Sequence, residues 1–467
     1  MSRLDKKTEE LSINWEKAFH LYESAIACHD KSLQIQATLK LAHMSSHAPE
    51  NILALVVPIL VELLRRPSDN QSPSIQEASA YCLKCISCQG EGRLSMIIGQ
   101  SGAIPSLLSL LQDSEGSLQK VLLKCLRNIV TFAGANRMIV LRNGGLEIVL
   151  RLLTSTSGVL RRVLLEILTA LALLKEARRA IFNSRSVRFL VESVRCGSLI
   201  SRTRAAQAIG LLGLVKKARR ALVSLGAVEV LVELIRIGDA SAKVVAANAL
   251  GLISSHIDYI RPVAEAGAIP LYAELLEGCE PLGKEIAEDV FCILAIFEEN
   301  AATIFDHLVR ILRGSDSAAK VAAADVLWDL SSYKHLIDIV QNSGVIPILV
   351  ELLTDDSSEI KEKVSGAVAQ MSYNAAERLA LADSGAIPHL IDLLRDESEE
   401  VRDNAAEALV NFSEDPLLSD RISHVLDDPS FQNMQDRVIQ IRASDAHLEV
   451  SLRDMSSEHL TWEPSLS

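Results

Sequence analysis

Aromatic side chains are scarce in this sequence: they make up 4% of its 467 residues, and only three of them are tryptophan. Hydrophobic residues as a whole reach 49%, so a buried core has to be built from Leu, Ile, Val and Ala. Such a core suits helices that pack closely together. The longest apolar stretches, such as residues 51–60, are well short of the ~20 residues that span a bilayer.

Targeting signals are also missing from the sequence. Residues 1–10 mix both signs of charge and contain no apolar core, unlike a secretory signal. Ser2 stands where N-myristoylation requires a glycine. We therefore expect a soluble intracellular protein, cytoplasmic and/or nuclear, with a peripheral membrane location as the alternative.

The sequence contains few of the patterns that carry chemistry. Eight cysteines in a chain of this length do not make a disulfide scaffold. Cys82, Cys85 and Cys88 form a CxxCxxC run, but no nearby Cys or His has the spacing of a fourth zinc ligand. There is no P-loop, no HExxH, no GxSxG and no GxGxxG after a strand. We therefore predict no metal, no cofactor, no catalytic residue and no enzymatic activity.

What the sequence does contain is an internal repeat. One phrase recurs, with a diverged copy at residues 143–153 and clearer copies at residues 57–64, 101–111, 225–235, 266–276, 343–353 and 384–394. A second, alanine-rich phrase follows each copy, as at residues 321–331 and 404–413. With Asn411 as the reference point, here called the anchor, the equivalent positions are Leu41, Cys85, Asn128, Ala170, Leu211, Leu252, Ile293, Asp329 and Gln370. Their spacing is 41 to 44 residues, except for one interval of 36 before Asp329.

Both phrases predict helices. The first phrase, as in SGAIPSLLSLL, places a glycine where the chain turns, a proline where a helix begins, and apolar residues at the spacing of one buried stripe. The second phrase predicts a longer helix whose alanines let its neighbours approach closely. At the position three residues before the anchor, Cys82 and Cys125 replace the alanines of other repeats, so we interpret them as small core residues.

These phrases resemble the armadillo family, over roughly residues 33–415, and plant, vacuolar and junctional armadillo scaffolds are similar. The resemblance implies an all-α, right-handed α-solenoid with three helices per repeat, whose third helices line a concave groove for extended partners. We expect a helical N-terminal cap (1–46), nine repeats (47–415) and a C-terminal capping helix with a polar tail (416–467). The short interval predicts a lost or truncated first helix in the repeat at 298–333. Phe431, Met434, Val438 and Ile441 share a helical face in the C-terminal region.

On a third helix, the anchor and the residues four and eight before it share one face. In importin-α, the resemblance would imply Trp four before the anchor and Asn at the anchor. Only Asn128 and Asn411 keep the asparagine, and no repeat has that tryptophan. A nuclear-import receptor is therefore not favoured, although the two asparagines could clamp the main chain of an extended partner.

The predicted groove positions change charge along the chain. The early repeats supply basic residues, Lys120, Lys124 and Arg162. The later repeats supply acidic residues, namely Glu285, Asp289, Asp325, Asp329, Asp403 and Glu407. We hypothesise that the acidic positions select a basic extended partner.

The whole sequence shows the same division. Residues 116–222 contain 20 Lys and Arg against 4 Asp and Glu, whereas residues 223–467 contain 17 against 43. Arg137, Arg178, Arg219 and Arg378 each precede the turn position by seven residues, where the family commonly has a basic residue that bonds to neighbouring carbonyls. The remaining cations near the repeat junctions form a basic block, Lys175, Arg179, Lys216, Lys217 and Arg220.

These patterns favour a non-enzymatic scaffold or adaptor that binds extended protein segments in its groove. The first alternative is a peripheral membrane adaptor that uses the basic region 116–222 on anionic lipid. A nucleic-acid-binding protein is the second alternative. It is disfavoured because Phe132, Phe182 and Phe189, the only aromatic residues of that region, fit the apolar core pattern. Weak head-to-tail self-association, basic region on acidic region, is a further alternative.

Overall fold

The computed structural model describes residues 14–66, 74–183, 186–426, 429, 431, 432, 434 and 435. These residues form two compact units, which divide between Ile253 and Ser254. The helices of the first unit are α1 (Trp15–Ala27), α2 (Lys31–Met44), α3 (Glu50–Arg65), α4 (Ile75–Ile86), α5 (Arg93–Gln100), α6 (Ala103–Asp113), α7 (Gly116–Phe132), α8 (Gly134–Arg142), α9 (Gly145–Ser155), α10 (Gly158–Ala172), α11 (Lys175–Asn183), α12 (Ser186–Arg195), α13 (Leu199–Gly213), α14 (Lys216–Ser224), α15 (Ala227–Ile237) and α16 (Ala240–Ser254).

The helices of the second unit are α17 (Ile257–Glu265), α18 (Ala268–Leu276), α19 (Pro281–Leu294), α20 (Glu298–Leu312), α21 (Ser317–Leu330), α22 (Ile337–Asn342), α23 (Val345–Leu352), α24 (Ser358–Met371), α25 (Ala375–Asp383), α26 (Ala386–Leu393), α27 (Glu399–Ser413) and α28 (Ser419–Leu426). Short 3₁₀ turns precede α5 and α22. No strand occurs in the part of the chain that the structure describes.

None of the described helices is by itself long and apolar enough to cross a membrane. That length and composition are reached only by two sharply bent pairs of helices taken together. One pair is α5, with its preceding 3₁₀ turn, and α6; the other is α22, with its preceding 3₁₀ turn, and α23.

The helices repeat in triplets, and the fold is an all-α solenoid. In the first unit α7, α10 and α13 are third helices, and each packs on the next along the chain. In the second unit α19, α21, α24 and α27 pack in the same way. Most triplets begin with a short helix that leads into the second helix at a sharp turn, as α8 leads into α9.

Two repeats show two helices instead of three among their described residues. Where the anchor spacing falls to 36 residues, the 15-residue helix α20 takes the place of the first two helices and leads directly to α21. This is the shortening that the interval in the sequence indicates. In the repeat that begins near residue 47, the described residues likewise form two helices, α3 and α4.

The turn glycines have the conformation that the sequence predicts. Just before the second helices α6, α9, α15, α18, α23 and α26, the glycine has a φ between 72° and 88°. This left-handed region costs a residue with a Cβ about 1 kcal/mol or more, whereas glycine adopts it freely. The glycine therefore sets the angle at which the second helix leaves the first.

Further helices flank the repeats at both ends of the described chain. Helices α1 and α2 precede the first repeat, and α2 packs against α4 as one third helix packs on the next. After α27, helix α28 is followed by Phe431, which is completely buried. Val438 and Ile441, which were predicted to share its helical face, lie outside the described residues.

Three of the junction arginines bond to carbonyls at helix ends, as the family pattern implies. Arg137 donates to the carbonyl oxygen of Val130, at 2.9 Å. Arg178 donates to Ala172, at 2.9 Å, and Arg378 to Ser372, at 2.8 Å. These bonds satisfy carbonyls that have no partner within their own helix.

A buried asparagine, Asn136 in α8, connects two repeats and gives a testable prediction. Its side chain is 1% exposed, and its amide nitrogen donates to the carbonyls of Ser95, at 2.8 Å, and Ile129, at 3.3 Å. Replacing Asn136 with alanine leaves buried carbonyls short of a donor, so we expect a loss of about 1–3 kcal/mol in the free energy of unfolding.

Chemical denaturation measures this loss. Asn143→Ala is the matched control, because the amide of Asn143 donates to Ile139 at the exposed end of the same helix. That change should stay within about 0.5 kcal/mol. Equal effects of the two substitutions would contradict the structural role of Asn136.

Candidate partner-binding groove

On each third helix, the position of a residue relative to the anchor decides which adjacent third helix its side chain contacts. The anchor is directed toward the preceding third helix: the amide of Asn128 donates to the carbonyl of Lys84, at 3.0 Å, and that of Asn411 to the hydroxyl of Ser372, at 2.7 Å. The residue one before the anchor is directed toward the following helix, as Arg127 is toward Glu166, at 3.2 Å. The residue four before the anchor therefore lies at the centre of the face.

This register corrects the hypothesis about the two asparagines. Asn128 is 2% exposed and Asn411 is 5% exposed, and the amide nitrogens of both already donate within the chain. They stabilise the contact between adjacent third helices. The expectation that they clamp the main chain of a partner does not hold for this arrangement.

In the first unit, three arginines from three successive third helices surround one carboxylate. Glu166 of α10 accepts from Arg127 of α7, at 3.2 Å, and from Arg162 of its own helix, at 3.1 Å, while Arg204 of α13 lies 4.0 Å away. The Glu166 side chain is only 13% exposed, and the three arginines are partly exposed. The predicted residue Arg162 thus belongs to a larger cationic cluster.

The two predicted lysines extend this cluster along α7. Lys120 is exposed and Lys124 is half-buried. Burial lowers the pKa of Lys124, and so do the positive charges of Lys120, Lys84, Arg127 and Arg162. A lysine whose pKa is lowered by its neighbours marks a surface where positive charge is in excess.

Exposed apolar side chains lie at the carboxyl ends of the same three helices. Phe132 ends α7, Leu173 follows α10 and Leu214 follows α13, and they are 46%, 49% and 51% exposed. Phe132 and Leu173 line a cleft of about 450 Å³ together with the arginines that surround Glu166. The cationic face therefore has an apolar row along one edge.

In the second unit, the predicted acidic residues lie on three of the third helices, α19, α21 and α27. Glu285 and Asp289 of α19 and Asp329 of α21 are exposed. Asp325, Asp403 and Glu407 are half-buried. Asp325 pairs with Lys363 of α24, at 3.0 Å, and Glu407 accepts from the hydroxyl of Tyr373. Part of the acidic charge is thus neutralised within the chain.

Two carboxylic acids of this acidic face hold their protons more strongly than usual. Burial, followed by the charge of Asp325, raises the pKa of Glu288 to about 7. The same two causes raise the pKa of Asp329. The negative charge of the face consequently increases as the pH rises through neutrality.

The basic block lies on a different part of the repeats. Lys175 and Arg179 are exposed on the first helix α11, and Lys216, Lys217 and Arg220 are exposed on the first helix α14. Within the described residues none of the five forms an ion pair. Their chemistry is therefore that of a solvated cationic surface, separate from the third-helix face of the same unit.

The cysteine run has a structural explanation. Cys82 and Cys125 are completely buried, and burial raises the pKa of both thiols. Cys88 is exposed, and its sulfur accepts from the amide of Asn128, at 2.9 Å. Among the described residues no three His, Cys, Asp or Glu side chains come together as a metal site.

Sequence reasoning missed Arg127, Arg204, Trp328 and Lys363 as residues of the third-helix face. Arg127 and Trp328 lie one position before their anchors, while Arg204 and Lys363 lie seven before. At about 100° per residue, the position one before the anchor is only about 20° from the position eight before it. A wider helical-wheel criterion would therefore have found them.

Comparison with known proteins supports the same fold. Residues 334–373 and 374–414 match the model of the armadillo/β-catenin-like repeat. No curated protein matches the sequence significantly. One similar solved structure is an engineered protein from a structural genomics consortium, with a TM-score of 0.69 and 26% identity over 84% of this chain and 98% of that chain.

A second similar structure comes from work on the interaction between cadherin and β-catenin, which a phosphorylation switch controls. Its TM-score is 0.59, with 16% identity over 90% of this chain and 86% of that chain. Armadillo folds are typically non-enzymatic scaffolds for protein–protein interaction. Residues 334–414 thus match two armadillo repeats, and the helix triplets of the described chain give a fold similar to these armadillo-type structures.

Proposed function

We propose that the protein is a non-enzymatic interaction scaffold and that the third-helix face of its first unit binds an extended protein segment rich in acidic and apolar residues. The observation that carries this proposal is the pairing of two rows on α7, α10 and α13. One row is cationic, and the other is the exposed series of Phe132, Leu173 and Leu214.

The spacing of the helices suits an extended partner. Packed helices lie about 8–10 Å apart, and an extended chain advances about 3.3–3.6 Å per residue. A partner that crosses the third helices therefore places about three residues on each repeat. A segment with one apolar and two acidic residues in every three would match both rows on successive helices.

Binding of three synthetic peptides to the full chain tests the proposal. The acidic peptide has five Glu-Asp-Leu triplets, the basic peptide five Lys-Arg-Leu triplets, and the neutral peptide five Gln-Ser-Leu triplets. Fluorescence anisotropy should show that the acidic peptide binds more tightly than the neutral one, and that salt weakens its binding because exposed charges are screened. A neutral peptide that binds as tightly as the acidic one would refute the charge-based proposal.

The acidic face of the second unit supports a second binding function, for a basic extended segment. Glu285, Asp289, Asp325 and Asp329 lie on the adjacent third helices α19 and α21. Lys363 neutralises part of this charge, and its ammonium group lies 5.4 Å from the ring centre of Trp328. A lysine or arginine of a partner could replace Lys363 in both contacts, through an ion pair and a cation–π contact.

The raised pKa of Glu288 makes this second function dependent on pH. The acid is largely protonated at pH 6 and largely ionised at pH 8, so the face gains one negative charge between them. The stability of the fold changes with pH in the opposite direction to peptide binding. The folded state holds the proton of Glu288 more strongly than the unfolded state does, so this stabilisation is lost as the pH rises through about 7.

We therefore expect the basic peptide to bind about two- to fivefold more tightly at pH 8 than at pH 6, the effect of one partly exposed charge. Anisotropy measures this, and Glu288→Gln should remove the pH dependence. The double change Asp325→Lys and Asp329→Lys should abolish binding at both pH values. Binding that survives this double change would exclude the acidic face as the site.

The basic block supports the lipid alternative, because its five cations are exposed and none forms an ion pair within the described residues. We expect the full chain to float with vesicles that contain a phosphoinositide, and not with neutral vesicles. Changing all five cations to glutamate should abolish flotation and leave the circular dichroism helical, since the five are exposed. Undiminished flotation of this variant would exclude the block as a lipid site.

A further inference from the structure

Positive charge at the centre of the first unit's third-helix face exceeds what the chain itself neutralises. Arg127, Arg162 and Arg204 come within 3.2, 3.1 and 4.0 Å of the single carboxylate of Glu166. Three positive charges against one negative charge leave an excess of two. Glu166 holds the guanidinium groups close together but neutralises only one of their three charges.

Two of these guanidinium groups have donors to spare, whereas Arg127 also donates through Nε and Nη2 to Oδ1 of Asn128, at 3.0 and 2.7 Å. Each guanidinium has five N–H bonds. Arg162 reaches Glu166 through Nε, and within the described residues its two terminal nitrogens have no partner. Arg204 donates through Nη1 to Gln207, at 3.0 Å, which leaves its Nη2 unused within the same residues. The unused donors therefore belong to two adjacent third helices, on either side of Glu166.

The cleft around these donors is large enough for a side chain of a partner. It measures about 450 Å³, and its lining includes the three arginines, Phe132 and Leu173. It combines cationic donors with an apolar wall. A phosphorylated serine or threonine beside an apolar residue has the complementary chemistry, since its phosphate has three acceptor oxygens and a charge near −2 at neutral pH.

We propose that Arg127, Arg162 and Arg204 form a phosphate-binding site for a phosphorylated serine or threonine within the extended partner. This inference rests on the proposed function and specifies one side chain of the ligand. A dianionic phosphate neutralises the excess charge of two, whereas a carboxylate neutralises half of it. Arginine also matches phosphate through paired N–H bonds, which a lone ammonium group does not offer.

A protein ligand fits this site better than a lipid headgroup. The Arg127 side chain is only 28% exposed, and that of Glu166 13%. A flat bilayer surface attracts cations that project into solvent, as the basic block on α11 and α14 does. The cleft instead admits a single side chain from a segment that crosses the third helices.

The test compares three versions of the acidic peptide that differ only at the central residue, which is phosphoserine, serine or glutamate. Fluorescence anisotropy on the full chain should show that the phosphoserine peptide binds about tenfold or more tightly than the serine peptide. It should also bind more tightly than the glutamate peptide. Below about pH 6 the preference should decrease, because the phosphate becomes a monoanion.

Substitution of the site then assigns the preference to these arginines. Arg162→Gln with Arg204→Gln should reduce the preference to less than about twofold. The serine peptide should bind more weakly too, because the cationic row loses two charges, but Lys120, Lys124 and the apolar row should still hold it measurably. Arg151→Gln, at an exposed arginine of the second helix α9, is the matched control and should keep the full preference. If the glutamine pair fails to fold, lysine at both positions keeps the charge and should still lose most of the preference.

The outcomes separate this inference from the proposed function. Equal binding of the phosphoserine and serine peptides would refute the phosphate site and leave the proposed function standing. Failure of every acidic peptide to bind would refute the proposed function itself. If the glutamine pair lost flotation with phosphoinositide vesicles but showed no change toward phosphopeptide, the site would belong to a lipid headgroup and the inference would be wrong.

Discussion

Reversing three charges on the third helices of the first unit, by Lys120→Glu, Lys124→Glu and Arg162→Glu, is expected to weaken binding of the acidic peptide by about a hundredfold. Each exposed ion pair contributes about 0.2–1 kcal/mol, and a reversal replaces attraction with repulsion of similar size. Three reversals therefore cost about 3 kcal/mol, which corresponds to two orders of magnitude in the dissociation constant. The basic peptide should bind better to the same variant.

A matched control carries the same change in net charge at other helices of the same unit. Arg142, Arg151 and Arg188 are exposed on α8, α9 and α12, and their reversal to glutamate should change the affinity by less than about threefold. Circular dichroism should show equal helicity for both variants. Similar losses of affinity in the two variants would mean that the net charge of the unit, rather than the third-helix face, determines binding.

Truncating Tyr272 to alanine is expected to cause the largest loss of stability in the second unit. The residue is completely buried in α18, and its ring packs edge-on against Phe291 of α19, with 6.3 Å between ring centres. Replacing a buried aromatic residue with alanine costs about 3–5 kcal/mol. Because repeat proteins can unfold locally, amide hydrogen exchange in α18 and α19 is the appropriate measurement, and it should accelerate by about a hundredfold or more.

Tyr272→Phe is the control for this experiment, because it keeps the ring and removes the hydroxyl. It should accelerate exchange far less than alanine does, since most of the stabilisation comes from burial of the ring. Exchange that is unchanged in the alanine variant would show that the contact between α18 and α19 does not limit local opening.

The repeat architecture could be predicted because it depends on local patterns. A glycine followed by a helix-starting phrase requires the same turn wherever it occurs, and the turn glycines indeed have left-handed φ angles. The burial of Cys82 and Cys125 was predicted for the same reason, because their position is held by alanine in other repeats. The two-helix repeat with α20 corresponds to the one short interval between anchors.

The third-helix face was harder to predict because it depends on how adjacent helices are turned toward each other. Helical periodicity alone places an anchor such as Asn128 beside Lys124 and predicts that both are exposed on the same face. The packing rotates that face so that the anchor meets the preceding helix and is buried, while Arg127, on the other edge, reaches the following helix. A helical wheel of a single helix gives no information about how that helix is rotated relative to its neighbours.

The charges of the second unit show a related limit of sequence reasoning. The acidic positions suggested a face that selects a basic partner, but Lys363, seven residues before its anchor, forms an ion pair with Asp325 of the preceding third helix. Trp328 fills the space above Gly366, where a side chain would collide with the indole ring. Both effects depend on pairs of residues from adjacent repeats, which the pattern of one repeat does not reveal.

Photo-crosslinking of the acidic peptide tests the central claim most directly. The peptide carries a benzophenone in place of its central leucine, and after irradiation of the full chain the attached residues are identified by mass spectrometry. We predict cross-links on α7, α10 and α13, near Phe132 and Leu173, which decrease at high salt. Cross-links that map instead to the first helices α11 and α14, or that are insensitive to the reversal of Lys120, Lys124 and Arg162, would contradict binding at the third-helix face.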